Sequence, residues 1–202
     1  MGKIITLTEL ELDMLTEMFN LGVGKAASSL STMVKQEIKL SVPKIEFLSV
    51  VELADELGSD STICSVSQRL SGPFSAQSML LFPEENSLNI VRQLLGEDLP
   101  DETVEELQQE AFSEIGNVVL NACIGSFADA LGAEFKIDLP LFEMSKPLDL
   151  LNVADNKNET ALFLRIDLTL STSNITGYMA FLMGTLSLDQ LKEVLKTMLQ
   201  KL

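Results

Sequence analysis

Between residues 12 and 30 the apolar positions Leu12, Leu15, Phe19, Gly22, Val23, Ala26 and Leu30 recur at three- and four-residue steps. At 100° per residue they fill one arc about 100° wide, the face a helix turns towards a core. Asp13, Glu17, Asn20 and Gly24 fall at i, i+4, i+7 and i+11. They fill a second arc, about 60° wide and centred about 140° from the first. The pattern predicts a long amphipathic helix through 13–34, opened by a capping box of Thr8 and Glu11. It returns in 110–131, where Glu110, Glu114, Asn117 and Asn121 form the polar stripe. Phe112, Gly116, Val119, Leu120, Cys123 and Phe127 form the apolar one, and Thr103 with Glu106, after Pro100, predicts a second capping box.

Offsetting the chain by 97 residues aligns Glu17 with Glu114 and Asn20 with Asn117, and then Glu37, Lys39, Pro43 and Glu46 with Glu134, Lys136, Pro140 and Glu143. A further three-residue shift pairs Met79, Ser87 and Leu88 with Met179, Ser187 and Leu188. The period marks an internal duplication, with repeats at approximately 6–96 and 103–202 joined by the linker-like stretch 96–103. Segments near 61–71, 74–82, 160–172 and 175–183 alternate or run apolar as hairpin strands do, and Ser187 with Gln190 begins an amphipathic C-terminal helix. Pro43 and Pro140 belong at strand ends, bulges or edges. Gly22, Gly24 and Gly116 are expected to permit close helix packing. Each repeat thus reads as long helix, strands, shorter helix, and neither buries much core alone. The expectation is one α+β domain over 1–202 with pseudo-two-fold symmetry, a shared sheet and both long helices on one face.

Composition narrows the chemistry. With 14 basic and 30 acidic residues the net charge is −16 and the lysines are scattered, which argues against nucleic acid. There is no histidine, and Cys64 and Cys123 are isolated. Zinc sites and Ser-His or Cys-His nucleophile pairs are therefore not expected. The cysteines read as small buried hydrophobes in a reducing compartment. The N-terminal stretch MGKIITLTEL lacks the apolar core of a signal peptide, and no apolar run approaches membrane-spanning length, so a cytoplasmic, membrane-free protein is expected. The methionines read as core filler, with Met14 and Met18 flanking the polar stripe as candidate partner contacts.

For any single glutamate, a solvated helix face is explanation enough. Asparagine is harder to explain, because it weakens a helix and competes for its backbone hydrogen bonds. Both helices nevertheless keep Asn three residues after Glu, about 4.5 Å along the axis, so one partner pocket can receive both side chains.

The pattern resembles that of the CheC/CheX/FliY family of chemotaxis phosphatases: Asp or Ser, three residues, Glu, two residues, Asn, twenty-two residues, Pro. Asp13, Glu17, Asn20 and Pro43 fit it completely; Glu114, Asn117 and Pro140 fit a second copy, with Glu110 in place of Asp or Ser. Two copies without a further flagellar-switch domain look most like a stand-alone CheC. The resemblance implies hydrolysis of the aspartyl phosphate of a CheY-type response regulator. Asn20 and Asn117 would orient the attacking water, and Glu17 and Glu114 would pair with the regulator's lysine, with Asp13, Glu110 and Asn121 in support. It implies no cofactor bound by this chain, the Mg²⁺ being carried by the regulator. Some family members also bind CheD, a receptor-modifying deamidase. An adaptor that binds the regulator or CheD with little activity is the alternative, and a structural repeat protein is a third reading. Gly24, where the second helix has Asn121, implies that the two sites need not be equally active.

Overall fold

Thr8 opens the first helix, α1 (Glu9–Val34), from an extended backbone at φ −70° and ψ 161°. Its amide donates to Glu11 Oε2 at 2.7 Å while its hydroxyl accepts from the Glu11 amide at 3.3 Å, which is the expected capping box. In the computed structural model, which describes residues 7–95, 100–156, 159–170 and 173–200, α1 leads into β1 (Ile38–Ser49), α2 (Val50–Glu56), β2 (Ile63–Ser71), β3 (Ser75–Pro83) and α3 (Glu84–Leu95). The second long helix, α4 (Asp101–Leu131), is followed by β4 (Lys136–Ile137), β5 (Leu141–Ser145), α5 (Pro147–Leu150) and α6 (Val153–Asn156). A final hairpin, β6 (Thr160–Leu170) and β7 (Ser173–Met183), runs into α7 (Thr185–Leu199).

The strands form one antiparallel sheet in the order β1-β6-β7-β3-β2-β4, with β5 also paired to β2. The hairpins β2–β3 and β6–β7 meet through β3 and β7 at the centre, and β1 pairs with β6 from the far end of the chain. Pro43 lies on this edge strand where the register shifts between Ser41 and Lys44, and Pro140 lies between β4 and β5. Both are positions where a missing N–H costs no ladder bond.

Alternation sorts the strand residues between two cores. Cys64, Val66 and Leu70 of β2 and Leu162, Leu164, Ile166 and Leu168 of β6 pack with Leu15, Phe19, Val23, Ala26 and Leu30 of α1, and with Phe112, Ile115, Val119 and Cys123 of α4. Ile90 of α3 and Leu188, Leu191 and Leu195 of α7 complete that side. On the opposite face Ile63, Met79, Leu81, Ala161, Phe163, Ala180 and Leu182 pack with Val50, Leu53 and Ala54 of α2 and with Leu150 of α5. Fully burying one such Leu or Phe contributes about 1.5–3 kcal/mol, so the outward stripes of α1 and α4 rest on a rigid support. The fold is α+β, with both long helices on one face of the sheet.

Several expectations are corrected. No capping box forms at Thr103 and Glu106: α4 starts at Asp101, and the Pro100 carbonyl accepts from the Thr103 and Val104 amides at 3.0 and 3.1 Å instead. Ser187 does not start α7 either; Gly184 is its N-cap, and the Ser187 hydroxyl accepts from the Ser75 amide at 3.4 Å. Leu12, placed in the core arc, is 37% exposed, and Met18, placed beside the polar stripe, is 4% exposed in the core. Of the three glycines, Gly22 does admit close helix packing, Gly116 lies against Val66 of a strand, and Gly24 has nothing within 4 Å of where a β-carbon would be.

The pairing of Met79 with Met179 also fails, since Met79 lies in the core beneath α2 and Met179 in the core beneath α1 and α4. A one-residue slip in a strand exchanges its faces, so the aligned identity is not a shared position. By length and composition α4 would pass for a membrane-crossing helix, yet half of its apolar window is buried within the fold. Residues 96–99 of the expected linker lie outside the described residues.

Candidate functional site

Phe19, fully buried, anchors the middle of α1 with its ring centroid 4.9 Å from that of Phe127 and 5.4 Å from that of Phe181. The helix therefore cannot roll, and its opposite side carries Asp13, Glu17 and Asn20 into solvent. Among the described residues none of the three has a hydrogen-bond or ion-pair partner. Two carboxylates and a carboxamide held ready but unused suit a surface that receives a cationic, hydrogen-bonding group from another molecule.

Phe112 anchors α4 in the same manner, edge-on to Phe82 at 5.5 Å. Here the helix backbone lies hard against the sheet. A β-carbon at Gly116 would lie 2.4 Å from Val66 Cβ, so only glycine lets the backbone come this close to β2. The neighbouring Asn117 is consequently half-buried. Its Oδ1 accepts from Gln68 Nε2 at 3.2 Å and from Asn121 Nδ2 at 2.8 Å. Gln68 Oε1 and Asn121 Oδ1 are buried with no partner among the described residues. Glu110 and Glu114 are exposed, and neither has a partner among the described residues. Of the residues singled out from the sequence, the structure thus brings Asn117 and Asn121 together and leaves Asp13, Glu17, Asn20, Glu110 and Glu114 open. Gln68 was not anticipated. Its signal is an amide in the otherwise apolar alternation Cys64, Val66, Gln68, Leu70.

Beneath the first turns of α4, Gln108 Nε2 donates to Ser87 Oγ at 2.7 Å and Ser87 Oγ donates to Cys64 Sγ at 3.0 Å, which ties α3 and α4 to β2. Burial pushes the Cys64 thiol above its ordinary value and the Cys123 thiol up to about 12. Both cysteines are buried and free, as expected of small core residues.

Residues 10–46, which include Asp13, Glu17, Asn20 and Pro43, match the CheC-like family. Residues 63–167, which include Gln68, Glu114, Asn117, Asn121 and Pro140, match the family described as Chemotaxis phosphatase CheX. The chain is 28% identical over 127 residues to the CheY-P phosphatase CheC of Bacillus subtilis (strain 168), an alignment spanning 60% of each protein. In fold it is similar to Thermotoga maritima FliY, with a TM-score of 0.75 and 19% identity over 96% of this chain and 100% of that one. It is also similar to a chain of the CheX-CheY-BeF3-Mg²⁺ complex from Borrelia burgdorferi, with a TM-score of 0.52 and 21% identity over 83% of this chain and 96% of that one. With Glu and Asn at like positions on two core-anchored helices and family matches across both, the chain belongs to the CheC/CheX/FliY family of chemotaxis phosphatases.

Proposed function

We propose that the chain hydrolyses the aspartyl phosphate of a CheY-type response regulator, using the Glu-Asn pairs of α1 and α4. One observation carries this reading: Glu17 and Asn20 stand exposed on a core-anchored helix, without a partner among the described residues, within the segment that matches the CheC-like family. Glu114 and Asn117 repeat the spacing within the segment that matches CheX. The CheX relative solved together with CheY supports a CheY-type partner.

On this reading the regulator supplies Mg²⁺, which offsets charge on the phosphoryl group, and a lysine. Glu17 or Glu114 pairs with that lysine and fixes the docking register, in a contact strengthened as water leaves the interface. The carboxamide of Asn20 or Asn117 holds a water in line with phosphorus. The water oxygen bonds to phosphorus as the bond from phosphorus to the aspartyl oxygen breaks. The regulator regains its aspartate carboxylate, and inorganic phosphate leaves with the oxygen and both hydrogens of the water, as dihydrogen phosphate or, after releasing one proton to solvent, as hydrogen phosphate. The chain contributes position rather than a nucleophile, as a water-orienting Gln does in GTPases.

The same proposal takes residues 1–202 as one domain of two repeats, about 6–96 and 103–202. The strand order supports it: exchanging β2 and β3 with β6 and β7, and β1 with the edge that β4 and β5 form together on β2, returns the same order read from the other edge. In that register Leu80, not Met79, corresponds to Met179.

The test is the decay of a CheY-type regulator phosphorylated with acetyl phosphate in Mg²⁺, with and without the protein and its Asn20→Ala, Asn117→Ala double variant. Acceleration by the wild type and its loss in the double variant, with binding retained, is the expected result. Unchanged decay with intact binding would make the chain an adaptor for the regulator or for CheD.

A further inference from the structure

Asn117 and Asn20 hold like positions on like helices, but their surroundings differ. The amide oxygen of Asn117 accepts from Gln68 Nε2 at 3.2 Å and from Asn121 Nδ2 at 2.8 Å, so both of its lone pairs are occupied. Its Nδ2, with no partner among the described residues and not among the buried unpaired atoms, is left to solvent. Asn20 has neither donor: the helix position four residues on is Gly24, and the α1-facing row of β6 is Leu162, Leu164, Ile166 and Leu168. Stability does not account for the Asn117 cluster. Gln68 is 3% exposed, and both its Oε1 and Asn121 Oδ1 are buried without a partner among the described residues, an expense that an apolar side chain at position 68 would avoid.

We propose that Gln68 and Asn121 are positioning residues that hold the carboxamide of Asn117 in the orientation hydrolysis requires, presenting its Nδ2 to the incoming regulator. The inference rests on the phosphatase reading above. The α4 site is then preorganised before docking, whereas Asn20 on α1 is ordered only when the regulator arrives. Positioning acts on the transition state, so losing it lowers kcat while leaving the docking contacts, and with them KM, in place.

The experiment isolates the α4 site in an Asn20→Ala background and adds Gln68→Leu or Asn121→Ala singly, with circular dichroism to confirm folding. Turnover of the acetyl-phosphate-labelled CheY-type regulator is measured over a range of its concentration. The expected result for either variant is a fall in kcat of about 10-fold with KM within about 2-fold of its parent. An unchanged kcat in both folded variants, or a loss carried wholly by KM, overturns the proposal. If the wild type accelerates decay and the Asn20→Ala parent does not, the proposal falls while the phosphatase reading stands on α1. If the wild type is itself inert, the phosphatase reading fails and this proposal fails with it.

Discussion

A β-carbon at Gly22 of α1 would lie 2.7 Å from the Cα of Cys123 on α4, so the two motif helices touch backbone to backbone at this point. Gly22→Ala forces them apart and is expected to destabilise the fold by about 1–3 kcal/mol. Gly24→Ala, two residues away with nothing near its β-carbon, is expected to stabilise by up to about 1 kcal/mol through helix propensity. Urea unfolding midpoints check both. A Gly22→Ala variant as stable as wild type contradicts the contact.

Glu17 and Glu114 are exposed, so reversing their charge should leave the fold intact. The double variant Glu17→Lys, Glu114→Lys sets a cation against the regulator's lysine and is expected to weaken docking by about 10-fold or more at low salt, with the deficit shrinking as salt rises. Titration calorimetry with a CheY-type regulator reads this directly. Unchanged affinity removes the docking role from both glutamates.

Cys123 lends the fold a dependence on alkaline pH. Its thiol is raised from an ordinary 9.0 to about 12 by burial, so above pH 9 the unfolded chain loses a proton that the folded chain keeps. Stability therefore falls as pH rises through that window, by about 1.4 kcal/mol at pH 10 for this one group. Cys64 is shifted in the same direction. Urea unfolding at pH 8 and pH 10 should show a steeper loss for wild type than for Cys123→Ala, and parallel losses contradict it.

Both long helices, the two hairpins and the Thr8 capping box are legible in the sequence because each rests on local period or local hydrogen bonding. The short helix α2 is missed although Ser49 and Glu52 make a second capping box, with the Ser49 amide donating to Glu52 Oε2 at 2.8 Å. Its seven residues are too few to show a helical period beside a strand. The slip between Met79 and Met179 has a different origin: identity in sequence does not carry the parity of a strand, which is set by hairpin register. Glu17 and Asn20 stand out because a helix surface gains nothing from asparagine. Gln68 does not, because its relation to Asn117 crosses 49 residues of chain and exists only once α4 lies on β2.

The pairing of β1 with β6 also sets a timetable for synthesis. The edge that follows α1 waits for a partner that begins at Thr160, so on the ribosome residues 50–159 must be made before β1 can be hydrogen-bonded in place. Contacts this distant are slow to form and leave an open edge in the interval. The stripe bearing Glu17 and Asn20 is translated before every strand of the sheet and is among the last to be fixed in space, so a truncated product lacking the β6–β7 hairpin presents neither a finished sheet nor a settled α1.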